Sequence, residues 1–211
     1  MYLYEKIEKT LNDNRHKFIG LVTYKALSRR LNSIFKDVDN YLKFKCVRYD
    51  DLDVDQYMVG GLYDQSTNMK YILFNVSVYS DELLLEDWMW SDFVFNISQT
   101  IQHEAIHQDQ FQHRPYIDDG IKLDFRILKG TIHEDREYLS DVDEIDAYAH
   151  DIAMEIKHFY PHMDPFHVLS TIAYKRKLGS YSYYKKTFKG CDWSRIKKRL
   201  LLKTYKWIAN V

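Results

Sequence analysis

At 211 residues and 25.5 kDa, the chain has the length of one ordinary domain and can bury a real core. Hydrophobic residues at 45%, charged residues at 29%, seven Gly and three Pro exclude collagen-like, low-complexity and globally disordered chains. The net charge of −1 conceals an asymmetry: residues 171–211 hold 12 Lys and Arg against one acid, Asp192, whereas the 170 residues before them hold 18 bases and 30 acids.

Two cysteines, Cys46 and Cys191, are too few for a disulfide framework or a cysteine zinc site, and suit a reducing compartment. The start, Met1-Tyr2-Leu3-Tyr4-Glu5-Lys6, shows no signal peptide, and no apolar run approaches the ~18 residues of a membrane span. A soluble, cytoplasmic protein without a membrane span is the expectation.

Neither an internal repeat nor a Gly/Ser/Pro linker divides the chain, so residues 1–211 read as a single domain whose portion 170–211 is basic and helical. Leu3, Ile7 and Leu11 put a stripe on a helix over Tyr2–Leu11, and Leu27, Leu31, Ile34 and Phe35 do so for Leu21–Phe35. Tyr41–Tyr49 alternates as a strand. Tyr57–Tyr63 and Met69–Val78 flank the polar turn Asp64–Asn68 and read as a hairpin, with Ile72, Phe74, Val76 and Val78 on a buried face and Asn75 and Ser77 on a wet one.

Ser80-Asp81-Glu82 predicts the cap of a short helix reaching Trp90. A second helix from Asp92 carries Phe93, Ile97, Ile101 and Ala105 on one stripe and ends at Gln112-His113-Arg114-Pro115. An irregular stretch follows to Asp135. Ser140 is then the expected N-cap of a helix reaching Phe159, and further helices fit Asp164–Arg176 and Asp192–Ile208. The class is α+β, predominantly helical, with a small N-terminal antiparallel sheet.

The helix from Asp92 contains His103-Glu104-Ala105-Ile106-His107, an H-E-x-x-H motif. Side chains at i and i+4 leave one helix face a turn apart, so His103 and His107 can bind one metal ion together. Glu104, about 100° round the helix from His103, can reach a water in the remaining coordination position. Chance gives this pattern about 0.02 times in a chain with so many His and Glu.

Zinc needs a third protein ligand, and two readings stand open. His113, six residues past His107, requires a sharp turn near position 110, where Gln110 stands. Glu144, in Asp141-Val142-Asp143-Glu144-Ile145-Asp146-Ala147-Tyr148-Ala149, lies in the first turn of the next amphipathic helix and is preferred. Asp143 and Asp146 are its neighbours in reach.

On these residues the chain resembles a zincin metallopeptidase of the gluzincin type. More narrowly, it resembles small H-E-x-x-H proteins of tailed bacteriophages, through His103–His107 followed by Gln110 and through Tyr138-Leu139-Ser140 leading into Glu144–Ala149. The resemblance covers about the middle quarter of the chain. It implies a zincin-like fold, a Zn2+ ion on His103, His107 and Glu144, Glu104 as general base, and a peptide lying along Met69–Val78 as edge strand. A phage-encoded copy would work in the host cytoplasm. Where larger gluzincins place an Asp to orient a zinc histidine this chain has Tyr148, and Asp151 is the substitute on nearly the same face. An oxyanion donor is sought among Tyr138, Tyr148, His150 and His133.

The basic tail interleaves cations with Tyr181, Tyr183, Tyr184, Trp193, Tyr205 and Trp207. Aromatics at helical spacing pack a helix onto its own fold and leave the lysines solvated. The rival reading is a binding protein, or a phage particle component, whose tail contacts nucleic acid or another anionic partner. The acidic run Asp50–Asp55 reads as a solvated turn rather than a calcium loop. The acids of Glu134–Asp146 would surround the metal cleft with negative potential.

Overall fold

A computed structural model describes residues 3–54, 56–113 and 132–210, with side chains described at all of these except 3, 4 and 132–134. The residues group into two compact units, Met1–Gln112 and His113–Val211.

The first unit opens with α1 (Leu3–Asp13), which buries Ile7 and Leu11. The helix expected from Leu21 begins instead at Tyr24, as α2 (Tyr24–Phe35), and Gly20–Thr23 form strand β1. Thr23 sets the boundary: its Oγ1 accepts a hydrogen bond from the Ala26 N–H at 3.2 Å, the geometry of an N-cap in extended backbone.

Strand β1 pairs antiparallel with β5 (Glu82–Leu85). A helix was the expectation over that second segment, but Leu83 and Leu85 are buried while Leu84 is exposed, a period of two. Ser80 is no helix cap: its hydroxyl accepts from the N–H of Glu82 and donates to the same residue's carbonyl.

The three-stranded sheet has the order β2 (Leu42–Tyr49), β4 (Met69–Ser77), β3 (Tyr57–Asp64). The hairpin β3–β4 is antiparallel as expected, and Asn68 closes its turn at φ 54. β2 runs parallel to β4, so the sheet is mixed rather than antiparallel. The acidic stretch after Tyr49 carries the chain past the position beside β2, and the hairpin returns β4 into it.

Both faces of β4 are buried, since Leu73 and Ser77 are as enclosed as Ile72, Phe74 and Val76. The wet face expected at Ser77 is absent, and Val78, assigned to the buried face, is exposed. α3 (Trp90–His113) starts earlier than Asp92 and sends Phe93, Ile97 and Ile101 into the core with Phe74, Leu27 and Leu31.

The second unit is helical among its described residues: α4 (Ile132–Ser140), α5 (Val142–Phe159), α6 (Pro165–Ser170), α7 (Gly179–Thr187) and α8 (Gly190–Ile208). α4 occupies part of the stretch expected to be irregular. Asp141 rather than Ser140 caps α5, accepting from the Asp143 N–H at 2.7 Å. The helix expected over Asp164–Arg176 stops at Ser170: Thr171 leaves helical backbone at φ −105, ψ 16, and a short 3-10 turn over Ile172–Tyr174 follows. Ile145, Ala149, Ile152 and Ile156 of α5 meet Tyr181 and Tyr184 of α7 and Ile196 and Leu200 of α8 in one core.

Candidate metal centre

Phe93, Ile97 and Ile101 fix the rotation of α3, and so fix where its next turn points. His103 and Glu104 are buried and His107 is half-buried. The two imidazoles face each other, with Nε2 of His107 3.1 Å from Nε2 of His103 and the rings at 72°. Two nitrogens held by one tetrahedral zinc ion, each about 2.05 Å from it, lie about 3.3 Å apart, so the pair fits that ion.

One turn on, Nδ1 of His107 lies 3.0 Å from Oε1 of Gln110. An amide oxygen only accepts, so this contact matches the tautomer with the proton on Nδ1 and the Nε2 lone pair towards His103. In that tautomer Nε2 is the nitrogen able to ligate a metal.

The other side of the motif rests on β3. A β carbon at Gly61 would fall 2.2 Å from Oε1 of Glu104 and 2.7 Å from its Cδ, so only glycine admits the carboxylate against the strand. A polar network fastens the same turn of α3 to the sheet. Gln108 accepts from the buried Lys70 ammonium through Oε1 and donates to Asn68 Oδ1 at 2.8 Å, and that oxygen also accepts from the Tyr63 hydroxyl. Lys70 is 3.1 Å from Asp39.

The helix runs unbroken through Gln110 to His113, where the side chain is exposed. The sharp turn that a third ligand at His113 requires is not made, which removes that alternative. In the second unit, Glu144 stands half-buried in the first turn of α5, three residues past the capping Asp141. Asp146 is committed elsewhere, 3.0 Å from the Lys203 ammonium and accepting from the Trp207 indole at 3.2 Å.

Two phenols of α7 feel the Glu144 carboxylate. Burial pushes the Tyr184 hydroxyl well above the usual phenol range, and Tyr148, Glu144 and Asp151 push it further. Tyr183 is raised by burial, by Asp135, to which it is hydrogen-bonded, and by Glu144. Both stay protonated donors at neutral pH.

Of the expected oxyanion donors, Tyr148 packs edge-on against Tyr184 and His150 is buried edge-on against Trp207, so both serve the core of the second unit. Tyr138 is exposed on α4, and the His133 side chain lies outside the described residues. The buried Asp151, offered as substitute for the missing Asp, sits with Oδ1 3.9 Å from Nδ1 of His150.

Met69–Val78 is not an edge strand: β4 is paired on both sides, and the outer strands of that sheet are β2 and β3. Gly61 and Gln110 were not among the sequence candidates for the site. The Gly60-Gly61 pair inside a strand pattern is the signal that marks a close backbone approach.

No known protein family, curated protein or solved structure matches this chain. No described helix is long and apolar enough to cross a membrane.

Proposed function

We propose that the protein is a zinc-dependent peptidase in which His103, His107 and Glu144 hold the ion and Glu104 is the general base. The observation that carries this reading is the pair of imidazole nitrogens 3.1 Å apart on the helix that also presents Glu104. Zincin-likeness, drawn from the H-E-x-x-H motif and the Glu-x-x-Ala segment at Glu144, belongs to the same proposal. When bound, zinc supplies Lewis acidity that makes water a competent nucleophile and polarises a peptide carbonyl.

The chain's own residues do the rest. Gln110 orients the His107 imidazole, and the bare backbone at Gly61 leaves room for the Glu104 side chain. Glu104 takes a proton from the attacking water and delivers it to the departing amine. A neutral phenol near Glu144 is the oxyanion donor in this reading, Tyr183 foremost because it is partly exposed, which requires its hydroxyl to turn from Asp135 to the substrate. β3, an outer strand touching Glu104, is the strand for a peptide to lie along in place of β4.

A zinc titration of the wild type beside His103→Ala, Glu144→Ala and Glu104→Gln, with peptide hydrolysis measured in parallel, tests the reading. The first two variants lose zinc, while Glu104→Gln keeps zinc and loses turnover. Zinc lost from Glu104→Gln would make that residue a ligand and end its assignment as base.

A further inference from the structure

The tail divides its residues between two faces of α8. Ile196, Leu200, Trp193 and Trp207 pack into the second unit's core, so most tail aromatics are structural. Lys203 turns to Asp146. Opposite them, Arg195, Lys198, Arg199, Leu202, Tyr205 and Lys206 are all exposed. At 100° per residue these six fall within an arc of about 120°, and they run along about 16 Å of helix.

The face carries four cations, Arg195, Lys198, Arg199 and Lys206. Among the described residues only Arg195 has an acid in ion-pair reach, Asp192 at 3.6 Å, and both are so exposed that the pair contributes little. At the end of the stripe the Tyr205 ring, 57% exposed, is braced by Phe166 of α6 with centroids 4.9 Å apart. Phe166 is itself exposed, so the pair presents a held aromatic platform among cations.

We propose that this face of α8, with Phe166, binds single-stranded nucleic acid. The four cations neutralise phosphates, and Tyr205 offers a ring for an unpaired base to stack on. Two features set this occupant above other anionic ones. Leu202 is the only aliphatic side chain on the face, too little apolar area to sink into a bilayer. An acidic peptide helix seeks an apolar groove, and the cations here leave no room for one. The surface shares no residue with His103, Glu104, His107 or Glu144, so it stands or falls apart from the peptidase reading.

The test is anisotropy of a labelled single-stranded oligonucleotide on the full chain. Four phosphate contacts give a log–log salt slope of about −2.8, or about fiftyfold weaker binding at 200 mM than at 50 mM salt. The double variant Lys198→Gln, Arg199→Gln halves that slope. Tyr205→Ala weakens the single strand about fivefold or more and leaves a duplex of the same length unaffected. All three positions are exposed, and a thermal melt matching the wild type confirms folding. Absence of binding at 50 mM salt, an unchanged slope in the double variant, or displacement by polyglutamate as effective as by unlabelled strand overturns the proposal.

Discussion

Gly61 of β3 lies so close to Glu104 of α3 that a β carbon on it would stand 2.2 Å from the carboxylate oxygen Oε1. The strand backbone is therefore a wall of the site, and the absence of a side chain leaves room for the base. Gly61→Ala pushes the carboxylate away because the obstructing atoms belong to the end of a side chain rather than to backbone. A general base displaced by about 1 Å costs about a hundredfold in rate. The variant keeps wild-type zinc affinity, since the imidazoles are untouched, and loses about two orders of magnitude in kcat on a peptide substrate. Unchanged kcat would mean that Glu104 has no work there.

Gln110 holds His107 by a single 3.0 Å hydrogen bond to Nδ1. Gln110→Ala frees the imidazole to adopt the other tautomer and to rotate, and loss of such a partner weakens metal binding about ten- to a hundredfold. Gln110→Glu retains an acceptor at the same reach and restores affinity. Competition against a chromophoric chelator reads both directly, and equal affinity in Gln110→Ala would reduce the contact to a surface hydrogen bond.

The parts legible in the sequence were those whose cause is local. The H-E-x-x-H turn, the β3–β4 hairpin and the stripe of α5 each follow from spacing within a few residues. What escaped depends on distant partners. α7 has a weak local signal, and its first turn is held by Glu155 of α5, which accepts from the Ser180 N–H at 3.0 Å and from its hydroxyl at 2.8 Å. The parallel pairing of β2 with β4 depends on where the chain re-enters the sheet. Glu82–Leu85 has a cap-like Ser upstream and only four residues in which to show its period of two. At the site, the paired histidines were visible while the glycine beneath Glu104 was visible only as a break in a strand.

Lys70 is buried and its only carboxylate among the described contacts is Asp39, 15% exposed in its side chain. Removing one partner of such a pair costs most when the charge left behind is the more deeply buried one. Asp39→Asn keeps an acceptor for the Tyr41 N–H but leaves the ammonium with the neutral Gln108 and no countercharge, and lowers unfolding free energy by about 3 kcal/mol. Lys70→Met leaves Asp39 near water and costs less than half as much. Urea denaturation of the two variants gives the order, and the reverse order would show that Gln108 alone satisfies the ammonium.

The two thiols separate by environment. Cys46, on β2, donates to the Tyr24 carbonyl at 3.2 Å, and burial pushes its pKa up to about 11 against the opposing pull of Arg48. Cys191 is exposed at the start of α8. At pH 8, iodoacetamide modifies Cys191 and spares Cys46 until the protein is unfolded, because the thiolate is the nucleophile. The same shift makes stability depend on alkali. The folded thiol ionises above its unfolded value of 9.0, so the contribution is complete below that pH and is lost as pH rises towards 11. Cys46→Ala therefore flattens the fall in urea midpoint between pH 8 and pH 10.5 relative to the wild type, and an equally steep fall in the variant would place the alkaline loss elsewhere, at Tyr57 first, whose buried phenol is pushed up to about 12.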